Sequence, residues 1–288
     1  MIAAQTSRKL VAGGHLPASP HGEFEEVFDG IWFVRGGVKM PMRVPMRIGR
    51  SMTVVRGEDG LTVFNSMRLS DHGWQALESF GDVKHVVRLS GFHGRDDGFY
   101  RERYGARIYA VEGQRYARGM DPNKEDPYME PDEWLHEQSA LPVANAKLKV
   151  FSTSNPPEAV CLIERDGGVL ITGDSLQHTP TPDEFFNWPA KLMMKRFGFF
   201  KPYNVGPGWL QFAHPTASDV RSVLDLEFNH VLPGHGAAVI GDAKEKYRPA
   251  IEGELKGCHT LGTAAPQISR PSRRCQAREG IQGCRRRC

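Results

Sequence analysis

Three short apolar segments of this sequence each run into a loop that combines glycine with histidine or aspartate. The segments and their loops are residues 85–98, 169–178 and 230–236. In layered folds of strands and helices, the loops that follow strands carry the chemistry, so their polar side chains are expected to meet at one edge. A glycine beside such a side chain lets the backbone come close to a metal or a ligand. The pattern therefore predicts a layered fold with a site at its strand ends.

The rest of the body alternates strand-like and helix-like stretches. Strands are predicted at residues 31–35, 52–56, 61–64, 85–89, 107–110, 148–151, 159–164, 169–172 and 230–232. Helices are predicted at residues 70–78, 97–104, 183–197, 216–226 and 242–254. Early hairpins followed by alternation of strands and helices predict an α/β or α+β domain.

The three loops carry residue types that bind transition metals. His93, Asp174 and His235 come from separate loops, and two histidines with a carboxylate are typical of a catalytic zinc or iron centre. Asp96 and Asp97 add two further carboxylates beside His93. Either of them can instead cap the helix predicted from residue 97, because aspartate is a favoured N-cap residue. Both interpretations of this pair stay open.

In this order the loops resemble those of the metallo-β-lactamase superfamily, over roughly residues 24–256. Val-Leu-Pro-Gly-His-Gly at residues 231–236 is the most specific match, and residues 169–174 are similar to the strand that bears the family's bridging aspartate. The resemblance implies an α+β fold, a four-layer αββα sandwich with metal at one edge of its two sheets. It also implies metal-dependent hydrolysis.

The family's His-x-His-x-Asp-His motif is absent. If His93 takes the second histidine position, Arg95 stands at the aspartate and Asp96 at the last histidine. If His93 takes the first, Arg95 replaces the second histidine and Asp97 keeps the aspartate. Asn155 stands near where another ligand histidine is implied, and a carboxamide is a poor donor for zinc or iron.

The ligands that survive point to one metal ion per chain: zinc, or else iron or manganese. The implied set is His93, Asp96 or Asp97, Asp174 and His235. Asp96 or Asp97, whichever is not a ligand, is the predicted catalytic base.

Three further residues are predicted to lie next to the metal or to contact substrate: Arg95, Asn155 and His178. Arg95 favours an anionic small-molecule substrate such as an ester, thioester or phosphoester. The alternative is a catalytically inactive scaffold or binding protein of the same fold.

A second enzyme class is suggested by Gly-Asp-Ser-Leu at residues 173–176. This block opens the GDSL esterases, in which the serine, here Ser175, is the nucleophile. In that family the block lies near the N-terminus, whereas here it lies in mid-chain. A GDSL-type esterase is therefore a remote alternative.

Composition divides the chain into three parts. Residues 1–23 are predicted to be a flexible leader, residues 24–256 the folded domain, and residues 257–288 a disordered tail. Residues 258–288 hold four of the five cysteines, seven arginines and one glutamate, a net charge of +6 that leaves −3 on the preceding residues. Nucleic-acid binding is therefore expected only through the tail.

The remaining predictions concern partners and location. No stretch approaches 18 consecutive apolar residues and no secretory signal is evident, so a cytoplasmic protein without a membrane partner is expected. Residues 187–209 are rich in aromatic side chains and are predicted to pack in the core, to wall the substrate cleft or to form a homodimer face.

Overall fold

Two β-sheets pack face to face, and helices cover both outer faces. The computed structural model describes residues 17–40, 44–115 and 130–257. Most of the predicted leader and nearly all of the predicted tail lie outside the described residues. None of the helices in the described ranges is long and apolar enough to cross a membrane.

The first sheet has seven strands, whose spatial order follows the chain. They are β1 (Glu25–Phe28), β2 (Ile31–Met40), β3 (Met46–Arg56), β4 (Leu61–Phe64), β5 (Val83–Arg88), β6 (Arg107–Val111) and β7 (Glu133–Leu135). The strands from β1 to β4 pair antiparallel, and those from β4 to β7 pair parallel. Helices α1 (Asp71–Phe80) and α2 (Asp97–Tyr104) form the two crossovers on either side of β5.

The second sheet has four strands in the order β13-β10-β9-β8. The remaining strands are β8 (Ala146–Phe151), β9 (Glu158–Ile163), β10 (Val169–Ile171), β11 (Leu176–Gln177), β12 (Asn204–Val205) and β13 (His230–Leu232). Strands β11 and β12 pair only with each other. The later helices are α3 (Trp188–Arg196), α4 (Pro207–Ala213), α5 (Ala217–Arg221) and α6 (Ala243–Gly257), and a 3₁₀ turn (Ser222–Asp225) follows α5.

Apolar side chains fill the three spaces between these four layers. Between the sheets, Phe33 and Val87 of the first sheet belong to one buried cluster with Cys161 of the second. Trp74 of α1 packs against the outer face of the first sheet, and Tyr247 of α6 against the outer face of the second. This is the αββα sandwich that the sequence predicts.

Several predicted elements match the structure residue for residue, and others differ for a local reason. Strands β4 and β13 and helix α2 have the predicted bounds. The helix predicted from residue 183 begins at Trp188, because the side chain of Asn187 accepts a hydrogen bond from the Ala190 amide and caps it there. The end of the predicted leader belongs to the first sheet, since the Gly22 amide donates to the Arg35 carbonyl at 2.8 Å.

The two-sheet core makes a prediction about Cys161. Burial between the sheets raises the pKa of its thiol to about 12, so that at about pH 8 roughly one thiol in ten thousand is ionised. We expect iodoacetamide to leave Cys161 unlabelled in the native protein and to label it in concentrated urea, as read by peptide mass spectrometry. Equal labelling rates in the two conditions would contradict the packing of the sheets.

Candidate metal centre

Two of the candidate ligands are placed by one strand pairing. β10 and β13 run parallel with Ile171 opposite Leu232. Asp174 and His235 each lie three residues beyond that pair, so the register brings them side by side. The Gly234 amide donates to the Gly173 carbonyl at 3.1 Å and continues the pairing into the two loops.

The third candidate ligand, His93, arrives from the other sheet. It follows β5, whose end is joined to β9 by a hydrogen bond of 2.9 Å from the Ala159 amide to the Leu89 carbonyl. Gly234 makes room for the ring, because a Cβ at that position would lie 2.8 Å from Cε1 of His93 and 2.5 Å from the Gly173 carbonyl oxygen. Only glycine fits at position 234, because any side chain there would collide with the His93 ring or the Gly173 carbonyl.

The three side chains converge on one point. Nε2 of His235 lies 3.0 Å from Oδ1 of Asp174, and Nε2 of His93 lies 3.3 Å from Oδ2. The two Nε2 atoms are 3.3 Å apart. In the described part of the chain, this is the one group of three or more histidine, cysteine or acidic side chains whose ligand atoms all lie within 4.8 Å.

Neighbouring groups fix the orientation of these ligands. Nδ1 of His235 donates to the Gly49 carbonyl of β3 at 2.7 Å, since a carbonyl only accepts, and this directs Nε2 toward the cluster. The Ser90 hydroxyl donates to Oδ2 of Asp174 at 2.6 Å. Such supporting hydrogen bonds set the tautomer and position of metal ligands.

Electrostatics favours the protonation states that a metal requires. Burial lowers the pKa of His93 more than the charge of Asp174 raises it. Burial alone raises the pKa of Asp174, but the adjacent His93 and His235 outweigh this and hold it well below its usual value. A neutral imidazole beside an ionised carboxylate is the donor set for a divalent cation.

The structure places Asp97 away from this cluster. Its Oδ2 accepts from Nε of Arg88 at 2.8 Å, its Oδ1 accepts from the Ser66 hydroxyl at 2.5 Å, and the ion pair is buried. The carboxylate thereby neutralises a guanidinium at the end of β5. Its contacts are structural ones.

Asp96 is also engaged outside the cluster. Its Oδ2 accepts from the Arg68 amide at 3.2 Å and lies 3.6 Å from the buried guanidinium of Arg50. It stands at the N-cap of α2 but makes no side-chain capping hydrogen bond. The contacts of Asp96 therefore fit neither a metal ligand nor a side-chain helix cap.

Arg95, Asn155 and His178 are not part of the cluster. Arg95 donates to the Lys39 carbonyl at 2.7 Å, and Asn155 is exposed and precedes a cis peptide bond to Pro156. The backbone amide of His178 donates to the His235 carbonyl at 3.3 Å, so this residue supports the ligand loop through its main chain.

The structure also shows a buried carboxyl group beside the cluster that is not predicted from the sequence. Glu158, the first residue of β9, is fully buried, and its Oε1 accepts from the Ser175 amide, next to Asp174. Burial, and then the charge of Asp174, raise the pKa of Glu158 well above its usual value. The signal in the sequence is an acidic residue at the start of an otherwise apolar strand.

Comparison with known proteins identifies the fold. No protein-family model and no curated protein matches the sequence. Among solved structures, the DIM-1 metallo-β-lactamase exposed to ceftazidime is 14% identical, covers 84% of this chain and all of its own, and has a TM-score of 0.58. The chain has the metallo-β-lactamase fold.

Two other solved structures agree. The metallo-β-lactamase FIM-1 from Pseudomonas aeruginosa, in its mono-zinc form, is 12% identical over 83% of this chain and 97% of its own, with a TM-score of 0.57. VMB-1 is 13% identical over 84% of this chain and all of its own, with a TM-score of 0.58. On the metallo-β-lactamase fold of this chain, His93, Asp174 and His235 lie at the edge shared by the two sheets.

The contacts of Asp97 predict the effect of its removal. Asp97→Asn deprives the buried Arg88 of its ion pair, and we expect the free energy of unfolding to fall by about 3 kcal/mol in urea titrations. The control is Glu164→Gln, which breaks an exposed pair with Lys147 and should change stability by less than about 1 kcal/mol. If both variants changed the free energy of unfolding by equally small amounts, the ion pair of Asp97 with Arg88 would not stabilise the fold.

Proposed function

We propose that the protein is a metal-dependent hydrolase that holds one divalent cation with His93, Asp174 and His235. The observation that carries this proposal is the convergence of two imidazole Nε2 atoms and a carboxylate within 3.3 Å of one another. Two nitrogens and one oxygen suit zinc first, and iron or manganese next. Three protein ligands also match catalytic sites, which keep a position open.

The cation would supply a Lewis acid that polarises a carbonyl or phosphoryl oxygen and makes water more acidic. The chain's own residues hold the donors in place. Ser90 fixes one oxygen of Asp174, and the Gly49 carbonyl fixes the ring of His235. The Phe199 ring stands edge-on to His235 at 5.6 Å between centroids and excludes water from that side.

A single cation fits the charges around the cluster. Burial lowers the pKa of His93, and the charge of the buried Arg50 guanidinium lowers it further. Arg50 therefore places a positive charge near His93 before any metal ion binds. A second metal ion would be repelled by it. The mono-zinc form of FIM-1 is consistent with one metal on this fold.

The contacts of Asp96 and Asp97 do not support the proton-accepting role predicted for one of them. Both of those carboxylates are buried and bound elsewhere. Asp174 faces both imidazoles with its two oxygens, and its lowered pKa suits a metal ligand rather than a proton acceptor. Arg95, two residues beyond His93, keeps the proposed preference for an anionic ester, thioester or phosphoester.

Metal analysis tests the ligand set. After reconstitution with zinc, iron or manganese, we expect at most one ion per chain by plasma mass spectrometry. We expect metal content to fall by at least about tenfold in each of the variants His93→Ala, Asp174→Ala and His235→Ala, because no neighbouring side chain replaces the lost metal-binding atom. His72→Ala, which changes an exposed histidine paired with Glu23, is the matched control.

Two metal ions per chain, or unchanged metal in the three variants, would contradict this ligand set. No metal in the parent protein after reconstitution would favour the inactive scaffold. Hydrolysis of nitrophenyl acetate, a thioester and bis-nitrophenyl phosphate by the parent and the variants then separates a metal-binding protein from a hydrolase.

The serine-esterase alternative has its own test. Ser175 is buried, and its hydroxyl has no hydrogen-bond partner among the described residues, so nothing there activates it as a nucleophile. Ser175→Ala should therefore keep hydrolysis within about twofold of the parent. A loss of a hundredfold or more, with the metal retained, would favour the esterase.

A further inference from the structure

Helix α3 exposes apolar side chains on the face that points away from the core. Its buried residues are Ala190 and Met194, which pack with Met46 and Ile48 at the start of β3. At 100° per residue, Trp188 and Leu192 lie on the opposite face, and they are 76% and 64% exposed. Large apolar side chains exposed together mark a binding surface.

The apolar surface extends beyond the helix itself. Of the six exposed large hydrophobic residues in the described ranges, Trp188, Leu192 and Phe197 lie in or directly after α3. Val44 lies beside its first turn, because the Asn187 side chain donates to the Pro45 carbonyl at 2.9 Å. Of these residues, Trp188 and Leu192 share the outer face of the helix.

Cations flank this ridge on both sides. Lys191, Lys195 and Arg196 lie on α3, which carries no acidic residue. Among the described residues, none of the three makes an ion pair with a carboxylate. Asp183, just before the helix, lies 3.9 Å from Arg35, and burial raises its pKa more than the charge of Lys191 lowers it.

We propose that the ridge formed by Trp188 and Leu192, with Lys191, Lys195 and Arg196, docks on the anionic surface of a lipid bilayer. Tryptophan and leucine between lysine and arginine side chains are the composition of helices that lie in a membrane interface. Each cation also attracts anionic headgroups. This binding goes beyond the proposed hydrolysis and does not depend on the metal.

Charge complementarity selects this occupant over a second copy of the chain. A twofold contact through the ridge would bring the three cations of one copy against those of the other. The sequence prediction of no membrane partner rests on the lack of a spanning segment, and peripheral docking requires none.

Vesicle sedimentation tests the proposal on the full chain. We expect binding to phosphatidylcholine vesicles that contain about 30% phosphatidylglycerol and much weaker binding to phosphatidylcholine alone. The seven arginines of residues 258–288 can also attract anionic lipid, so the variants are compared with the parent in the same chain. Trp188→Ser with Leu192→Ser should weaken binding at least tenfold.

Matched variants separate the ridge from general effects. Ile240→Ser changes a similarly exposed apolar residue elsewhere and should leave binding unchanged. Lys195→Glu should weaken binding by at least roughly fivefold, whereas Lys147→Glu, on β8, should not. Trp188→Phe should keep binding but lose the fluorescence quenching by brominated lipid that the parent shows.

Three results would overturn the proposal. The parent fails to bind anionic vesicles, or the double serine variant binds them as tightly as the parent, which would assign the affinity to the arginine-rich segment. Alternatively, sedimentation velocity shows a dimer in the parent that the double variant loses, which would make the ridge an interface between copies.

Discussion

The whole arrangement depends on the hydrogen bonds that join the two sheets at one edge. The Ala159 amide ties the end of β5 to β9, and the Ser51 amide of β3 donates to the Gly234 carbonyl at 2.8 Å. Without these bonds and the others that cross this edge, such as the one from Asn65 to the Thr172 carbonyl, the sheets would be held by apolar contact alone, which is not directional. Loops from opposite sheets could not then keep three donor atoms within 3.3 Å of each other.

Buried charge around this edge is balanced pair by pair. Arg88 is neutralised by Asp97, and Arg50 lies beside Asp96 and donates to the Ser66 carbonyl at 2.5 Å. An unpaired buried charge would be strongly unfavourable, so each guanidinium needs its acid. Asp96 and Asp97, the acids of the His93 loop, therefore pair with buried arginines and stabilise the fold. Asp174 is the carboxylate that faces the histidines.

The sequence predicts site residues correctly where a residue pattern has a single structural outcome. His93, Asp174 and His235 can be found because each lies beside glycine directly after an apolar strand. Asp97, beside Gly98, satisfies the same pattern and Asp96 precedes it, yet their partners Arg88 and Arg50 belong to different strands, and no local pattern shows that pairing. Alternation of strands and helices predicts an α/β or α+β domain, and the four layers are implied by the resemblance to the metallo-β-lactamase superfamily. The short strands β11 and β12 pair only once the loops that carry them are in place.

The hydrogen bond from His235 to the Gly49 carbonyl carries a consequence for the mechanics of the molecule. It connects a ligand of the second sheet to a strand of the first, 186 positions apart in the chain, while His93 and His235 are 142 positions apart. An occupant bound by all three side chains would therefore act as a staple across the sandwich. Filling the site would make the two halves of the chain unfold as one cooperative unit, and emptying it would let the edge open before the core.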